Sequence, residues 1–355
     1  MKIAAESFFD RITEAFDKKL PFTAYHKPES DEIKGFFQKN DDLFHTKNYS
    51  ESGFVFAPFD NAKQSVLFPL NKSEICTTKF SDIYIDDSNS NFKLISNSND
   101  EKATFVSLVQ KGVEFLKKTG VKKVVLSRKE LINTSHFNIE EAFKKLLMNY
   151  RNAMVYVWFH PKIGLWLGAT PETLLKVKDE TFTTMALAGT QLYHGSLEVD
   201  WQHKEKQEQQ FVTDFIINNL SNSLVITGIS EPQTVRAGNL LHLCTKIKGI
   251  MSRQFSLYQL IGLLHPTPAV CGLPKIESKL FILENEQYDR EFYTGFLGEL
   301  NIKRQSNLYV NLRCMQVLSN EISVYVGGGI TVDSIPDSEW EETEAKSKVI
   351  LKVLV

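Results

Sequence analysis

Beyond residue 120 the chain contains repeated apolar runs rich in β-branched and aromatic residues, such as AMVYVWF, GLWLGAT and TFTTMALAGT. Runs of this composition and length favour β-strands. Near the carboxyl end, GFLGELNI, NLYVNLRCMQVL and EISVYVGGGITV follow one another with no helical pattern between them, which predicts an antiparallel meander. Helical patterns over residues 139–150 and 201–220 lie between other strands. The expected fold is therefore α/β or α+β, with large, mostly antiparallel sheets flanked by helices.

The amino-terminal part begins with an amphipathic helix, because apolar residues recur at helical spacing between residues 4 and 19. Short strands and turns follow. The polar run from Ser96 to Asp100 is typical of a loop, and we place a possible boundary there. A helix over residues 101–118 and a strand in VKKVVLSRKELI are predicted after it.

Charge and cysteine content exclude several classes of function. The 41 lysine and arginine residues nearly balance the 43 acidic residues, so the formal net charge is −2. This balance offers no platform for a nucleic-acid backbone. The four cysteines form no CxxC pair and suggest neither a zinc site nor a disulfide framework. Charged residues interrupt the first apolar segment, and no apolar run approaches the ~20 residues that cross a bilayer, so we expect a soluble, cytoplasmic protein.

Two predicted helices each carry a pair of carboxylates. Glu205 and Glu208 stand three residues apart, and Glu339 and Glu342 repeat this spacing, so the members of each pair share a helix face. Four carboxylates without histidine or cysteine suit a hard cation such as Mg²⁺. Solvated, lysine-rich helix faces are the alternative, because charge runs usually lie on the surface.

A glycine run and a lysine mark two of the predicted strands. Gly327, Gly328 and Gly329 follow an alternating strand, so the backbone there can approach a ligand and offer N–H donors to an anion. A bulge or a turn is the ordinary alternative. Lys123 would have a lowered pKa and could act as a base if it were desolvated, whereas an exposed lysine would only mark a sheet edge.

Three further polar residues are embedded in apolar sequence. Glu172 follows a proline, which could hold its carboxyl group at a sheet end, although an ordinary loop glutamate looks the same. Arg313 is predicted inside an apolar strand, where a buried guanidinium needs an anionic partner or a structural salt bridge. His242 has the surroundings of a hydrogen-bonded core histidine, and no nucleophile elbow or GxGxxG spacing accompanies it.

Ten ordered motifs give the chain a family resemblance. They are KVVLSR, GATPETLL, ALAGT, KEKQEQQFVTDFI, HLCTKIKG, LHPTPAVCGLPK, the tail of YDREFYTGFLGEL, NLRCMQV, YVGGGI and SIPDSEWEETEAK. With them the chain resembles the chorismate-utilising enzymes, which include isochorismate synthases, salicylate synthases and the large subunits of anthranilate and aminodeoxychorismate synthases. The resemblance implies the chorismate-binding enzyme fold, with residues 100–355 as the catalytic domain and residues 1–99 as a variable part of the same fold.

The resemblance also implies a role for individual residues. Lys123 would activate water, and Glu172 would protonate the leaving hydroxyl group. The residues implied at the Mg²⁺ are Glu208 and Glu342 as direct ligands and, through water, Glu205 and Glu339. The residues implied around the substrate chorismate are Gly189, Thr190, His242, Thr245, Ala269, Tyr293, Arg313, Gly327, Gly328, Gly329 and Lys346. Gln209 departs from the family, which usually has a histidine there, and this brings the surroundings of the metal site into question.

Three positions favour one member of the family. Amine-transferring members that make anthranilate lack a lysine at the position of Lys123. Ala188 stands where aminodeoxychorismate synthases have a lysine nucleophile, and Ala269 stands where salicylate and anthranilate synthases tend to have threonine. We therefore expect chorismate to be converted to isochorismate by water addition at C2 and loss of the C4 hydroxyl, feeding menaquinone or siderophore biosynthesis. A salicylate synthase and a non-catalytic chorismate-binding subunit are the alternatives, and a monomer or homodimer is expected.

Overall fold

The computed structural model describes residues 1–83, 98–134, 137–237, 240–252, 254–318 and 321–354. Within these ranges the α-helices are α1 (Ala5–Asp17), α2 (Ser98–Thr119), α3 (Ile139–Asn149), α4 (His203–Ser221), α5 (Leu257–Leu264), α6 (Lys275–Asn285) and α7 (Pro336–Leu354). The strands are β1 (Phe22–His26), β2 (Glu32–Gln38), β3 (Phe44–Thr46), β4 (Gly53–Ala57), β5 (Ser65–Pro69), β6 (Ser73–Lys79), β7 (Lys123–Asn133), β8 (Met154–His160), β9 (Gly164–Thr170), β10 (Thr173–Lys178), β11 (Thr181–Leu192), β12 (Val225–Ile229), β13 (Gln233–Ala237), β14 (Leu240–Ile250), β15 (Gly272–Leu273), β16 (Phe296–Ile302), β17 (Gln305–Val310), β18 (Cys314–Leu318) and β19 (Glu321–Ile330). Among these described helices, none has both the length and the apolar character needed to cross a membrane.

The strands form two large antiparallel sheets. In the described parts of the chain, one sheet has nine strands in the order β15-β7-β19-β18-β9-β8-β1-β2-β6. The other has ten strands, in the order β12-β14-β11-β10-β17-β16-β4-β5-β3 with β13 also paired to β14. Strands from the first eighty residues occur in both sheets, since β1, β2 and β6 lie in the first and β3, β4 and β5 in the second.

Aromatic side chains fill the space between the two sheets. Phe56 of β4 lies 5.1 Å from Trp158 of β8 between ring centroids, and Phe68 of β5 stacks on the same tryptophan at 5.2 Å. Such pairs add geometric preference to a large buried apolar area. Helices α1 and α3 pack on the outer face of the nine-stranded sheet, and α4 and α5 pack on the ten-stranded sheet, so each sheet is covered on both faces.

The predicted fold class is confirmed, and one boundary differs. The helix expected over residues 101–118 begins at Ser98, so the predicted loop is wrong for Ser98 to Asp100, while residues 96 and 97 lie outside the described ranges. Asp100 and Glu101 occupy the first turn of α2. Acidic side chains there favour a helix, because the amino-terminal end of the helix dipole is positive.

The predicted meander near the carboxyl end is wrong in one respect. Strands β16 and β17 pair in the ten-stranded sheet, whereas β18 and β19 pair in the nine-stranded sheet. The segment NLYVNLRCMQVL is therefore not one strand but two, separated between Val310 and Cys314. Arg313 adopts a φ of 48° in this gap, a left-handed conformation that cannot continue a strand. The chain crosses from one sheet to the other here, and Arg313 lies at the crossing.

Candidate active site

One pocket, at the junction of the two sheets with α4 and α7, brings together most of the residues predicted from the sequence. The predicted residues that line it are Glu172, Gly189, Thr190, Glu205, Glu208, His242, Ala269, Tyr293, Arg313, Gly327, Gly328, Gly329, Glu342 and Lys346. Lys123, Thr245 and Glu339 are buried and lie outside the lining.

Lys123 lies inside the protein, directly behind the glycine run. It is 2% exposed, so the alternative of an exposed edge lysine is wrong. Its Nζ donates to Glu208 Oε1 on α4 at 2.6 Å. The register of β7 and β19 pairs Val125 with Gly329, and a Cβ atom at Gly329 would lie 2.5 Å from Lys123 Cε. The glycine therefore provides the space that the lysine side chain occupies.

Glu172 lies in the turn between β9 and β10 and faces the same pocket. It is 3% exposed, and this burial raises its pKa from 4.5 to about 8, against the opposing effect of Lys123 and Arg313. A carboxyl group with this pKa is mostly protonated at neutral pH. It can therefore donate a proton to a leaving group, as a general acid must.

A neutral histidine contacts the guanidinium group at the sheet crossing. His242 Nδ1 lies 2.9 Å from the carbonyl oxygen of Gly189, and because a carbonyl only accepts, we assign the proton to Nδ1. His242 Nε2 then accepts from Arg313 Nη2 at 2.9 Å. Burial and the adjacent Arg313 lower the pKa of His242 to about 3. The prediction that Arg313 lies inside a strand is wrong, because the structure places it at the crossing between the sheets, where His242 is one of its partners.

Lys346 and Tyr293 both approach Gly327 in the glycine run. Lys346 Nζ on α7 donates to the carbonyl oxygen of Gly327 at 3.0 Å and lies 2.7 Å from Glu342 Oε1. The hydroxyl oxygen of Tyr293 would lie 3.0 Å from a Cβ atom at Gly327. With Arg313, these side chains give the pocket two fixed cations and a hydroxyl donor beside the backbone of the glycine run, an arrangement that suits a dianionic ligand.

The two acidic helices also converge at the glycine run. A Cβ atom at Gly328 would lie 3.2 Å from Glu339 Oε2 and 4.0 Å from Glu342 Oε1, and one at Gly329 would lie 3.2 Å from Glu208 Oε1. Glu208, Glu339 and Glu342 therefore lie beside the same stretch of β19, while Glu205 lies beside Gly189 in the same pocket. The alternative of two solvated helix faces does not describe them.

The donors fit a divalent cation, although they do not form a closed cage. Among the described residues, no three His, Cys, Asp or Glu side chains lie close enough together to hold a metal ion. Within the same residues, however, Glu205 Oε2 is buried without a hydrogen-bond partner. Glu339 is 4% exposed, and burial together with the neighbouring Glu342 raises its pKa. Glu208 and Glu342 already pair with Lys123 and Lys346, so the unpartnered Glu205 oxygen and the crowded Glu339 carboxyl group are what a divalent cation would satisfy.

Thr245 differs from its predicted role. It is 2% exposed and its Oγ1 accepts from Gln209 Nε2 at 3.1 Å, while the same amide donates to the carbonyl oxygen of Ala186 at 3.1 Å. Because side chains alternate along a strand, Thr245 lies on the opposite face of β14 from His242 and points towards α4. Gln209 thus anchors α4 to the sheet, where the family usually has a histidine.

Two residues at the pocket were not predicted from the sequence. Lys204 lines the pocket with a side chain that is 60% exposed, and its Nζ lies 3.8 Å from Glu339 Oε1. The only feature of the sequence that points to Lys204 is its position directly before Glu205 on α4. Arg290 lies fully enclosed behind the pocket wall, and only its spacing of four residues from Glu286 hints at an ion pair.

Comparisons with known proteins identify the family and the fold. A family model described as a chorismate binding enzyme matches residues 60–355. Isochorismate synthase EntC of Escherichia coli (strain K12) is 30% identical over 267 residues, which cover 71% of this chain and 67% of EntC. The structure of MenF, the menaquinone-specific isochorismate synthase from Escherichia coli, matches with a TM-score of 0.78 and 20% identity over 94% of this chain and 89% of MenF. DhbC from Bacillus anthracis matches with a TM-score of 0.79 and 22% identity over 98% and 99% of the two chains. The family model and the similarity to EntC show that the chain belongs to the chorismate-binding enzyme family.

Proposed function

We propose that the protein is an isochorismate synthase, which converts chorismate to isochorismate in a Mg²⁺-dependent reaction. The observation that carries this proposal is that a lysine and a glutamic acid, Lys123 and Glu172, are both buried at or directly behind one cationic pocket, where burial raises the pKa of Glu172 to about 8. The isomerisation requires both, because water loses a proton when it adds to the ring and the hydroxyl group gains one when it leaves. The names of the relatives EntC and MenF support the same reaction.

The proton transfers balance between the two side chains. Lys123 acts as the base and accepts a proton from water as the water oxygen bonds to C2 of chorismate. The two ring double bonds shift, the C4–O bond breaks, and Glu172 donates its proton so that the hydroxyl group departs as water. One water enters and one leaves, so the product is an isomer of the substrate. A proton returned from Lys123 to Glu172 through solvent restores the resting forms.

Fixed cations would hold the two carboxylate groups of chorismate. Arg313 is half-buried. Its guanidinium group donates to His242, and its backbone has a φ of 48° at the crossing between the sheets. Lys346 is held by Glu342 and the carbonyl oxygen of Gly327. Cations oriented in this way bind a carboxylate at a smaller entropic cost than mobile surface side chains would.

The four carboxylates would hold the Mg²⁺, with Glu208 and Glu342 as its direct ligands and Glu205 and Glu339 acting through water. When bound, the cation would neutralise these side chains and act as a Lewis acid towards a substrate carboxylate.

Two alanines in the pocket support hydration over related reactions. Ala188 and Ala269 both line the pocket. Ala188 has no nucleophile, so a covalent enzyme intermediate cannot form at that position. Ala269 has no hydroxyl group that could hydrogen-bond and reposition the attacking water. A salicylate synthase would share the first step and then eliminate pyruvate, so the two proposals differ in their products.

The direct test is incubation with chorismate and Mg²⁺, followed by chromatography of the products and an enzymatic assay for pyruvate. We expect isochorismate to accumulate without pyruvate, and we expect Glu172→Gln to remove this activity. Salicylate and pyruvate in equal amounts would instead identify a salicylate synthase. Chorismate recovered unchanged would contradict the proposal and favour a non-catalytic subunit. Related isochorismate synthases are named for different pathways. The isochorismate formed here would therefore feed either menaquinone or siderophore biosynthesis.

A further inference from the structure

A buried ion pair joins three walls of the pocket from behind. Arg290 donates through Nη2 to the carbonyl oxygen of Val125 at 2.7 Å, through Nη1 to the carbonyl oxygen of Val270 at 2.9 Å, and through Nη1 to Thr294 Oγ1 at 3.2 Å. Its Nε and Nη2 also donate to Glu286 at 2.7 and 2.6 Å. All five N–H groups of the guanidinium are therefore used.

The carboxylate of this pair has its own contacts with the same walls. Glu286 Oε1 accepts from the backbone N–H and from the hydroxyl group of Ser127 on β7, both at 2.8 Å. The side chains of Arg290 and Glu286 are 2% and 1% exposed. Because a buried guanidinium is costly unless it is paired and fully hydrogen-bonded, the saturated contacts fix the cluster in one arrangement. We call Arg290 and Glu286 with these contacts the rear cluster.

The three walls carry separate parts of the proposed reaction. Val125 lies two residues after Lys123 on β7 and lines the pocket. Val270 follows Ala269, the alanine beside the expected approach of water. Thr294 follows Tyr293 and has a φ of 60°, a conformation that the surrounding contacts must maintain. These segments are far apart in sequence, and Arg290 contacts all of them.

We propose that Arg290 and Glu286 are positioning residues, which set the distance between Lys123 and the Ala269 wall and hence the alignment of base, water and substrate ring. This inference rests on the proposed function and extends it to residues that do not touch the substrate.

The proposal predicts an effect on turnover rather than on affinity. The cations that would bind the carboxylate groups each have a contact of their own outside the rear cluster, Arg313 with His242 and Lys346 with the carbonyl oxygen of Gly327. Loosening the walls should therefore leave substrate binding almost intact while the base and water lose their alignment. Displacements of about 1 Å can cost about 100-fold in rate.

The test compares three variants of the full chain by kcat, KM and melting temperature. Arg290→Lys keeps the charge, but a single ammonium group cannot reach three walls. Thr294→Val removes one hydrogen-bond acceptor of Arg290 and keeps the ion pair with Glu286. This milder variant tests the proposal if Arg290→Lys does not fold. Glu299→Gln is the matched control, because Glu299 is also a buried carboxylate, paired with Lys27 and Lys34, and lies outside the pocket lining.

We expect Arg290→Lys to lower kcat by about 10- to 100-fold with KM changed by less than about threefold. Thr294→Val should lower kcat in the same direction by a smaller factor. Glu299→Gln should melt at a lower temperature and keep the parent kcat per folded molecule. The inference is overturned if the folded rear-cluster variants keep the parent kcat, or if Glu299→Gln loses kcat to the same extent. A parent protein that makes no isochorismate would instead contradict the proposed function.

Discussion

Raising the pH should switch off the general acid of the proposed reaction. Glu172 donates a proton only while it is protonated, and burial raises its pKa to about 8. With this pKa, about 91% of the free enzyme holds the proton at pH 7 and about 9% holds it at pH 9. Because the pKa is raised, the active form predominates below about pH 8 and is lost above it. We therefore expect kcat/KM to fall by about tenfold between pH 7 and pH 9 through this group alone.

The assay is the initial rate of chorismate conversion across this pH range at saturating Mg²⁺, because kcat/KM reports the pKa values of the free enzyme. Glu172→Gln cannot donate, so we expect a loss of about 100-fold or more, and the remaining activity should not decline near pH 8. Glu101→Gln is the matched control, since burial also raises the pKa of Glu101 but this residue lies outside the pocket lining. A decline near pH 8 that persists in Glu172→Gln would refute the assignment.

Three further predictions concern the metal, the product and the stability. EDTA should abolish turnover and Mg²⁺ should restore it, and Glu208→Ala should stay inactive with added metal although circular dichroism shows a folded chain. Ala269→Thr should lower isochorismate formation and shift any remaining product towards elimination or, with ammonium, amination, because a hydroxyl and a methyl group enter a packed pocket; an unchanged product profile would contradict this. Glu299 is buried, yet Lys34 and Lys27 outweigh burial and lower its pKa from 4.5 to about 2. Its carboxylate should therefore contribute about 3 kcal/mol to the free energy of unfolding above pH 4.5, and this contribution should be lost as the pH falls towards 2. A melting curve of Glu299→Gln that matches the parent at pH 7 would contradict this.

Local elements of the fold could be predicted because their signals lie within one segment. The strand in VKKVVLSRKELI matches β7, and the amphipathic pattern near the amino terminus matches α1. The sheet partners could not be predicted in this way. The choice of partner depends on which apolar faces meet, and β1 lies between β2 and β8, which are separated by a hundred residues and more. The break at Arg313 was missed because its apolar neighbours on both sides continue the strand pattern.

Only part of the site could be predicted from the sequence. The spacing of the glutamates placed each pair on one helix face, but only the fold shows that both faces meet the glycine run. The burial of Lys123 is likewise decided by β19 and α4, which are distant in the sequence. The role of Arg290 could hardly be predicted from the sequence. Two of its five hydrogen bonds go to backbone carbonyl oxygens, which any residue can present, and a third goes to a threonine hydroxyl group.

The central claim is that water adds to C2 while the C4 hydroxyl departs, and labelling with oxygen-18 tests it most directly. The protein would be incubated with unlabelled chorismate and Mg²⁺ in water enriched in oxygen-18, and the isochorismate would be analysed by mass spectrometry and by carbon-13 NMR. We predict one oxygen-18 atom per isochorismate, bonded to C2, because the incoming oxygen comes from solvent and the original C4 oxygen is released. Isochorismate without the label would show that the hydroxyl group moves within the substrate, and it would contradict the roles of Lys123 and Glu172.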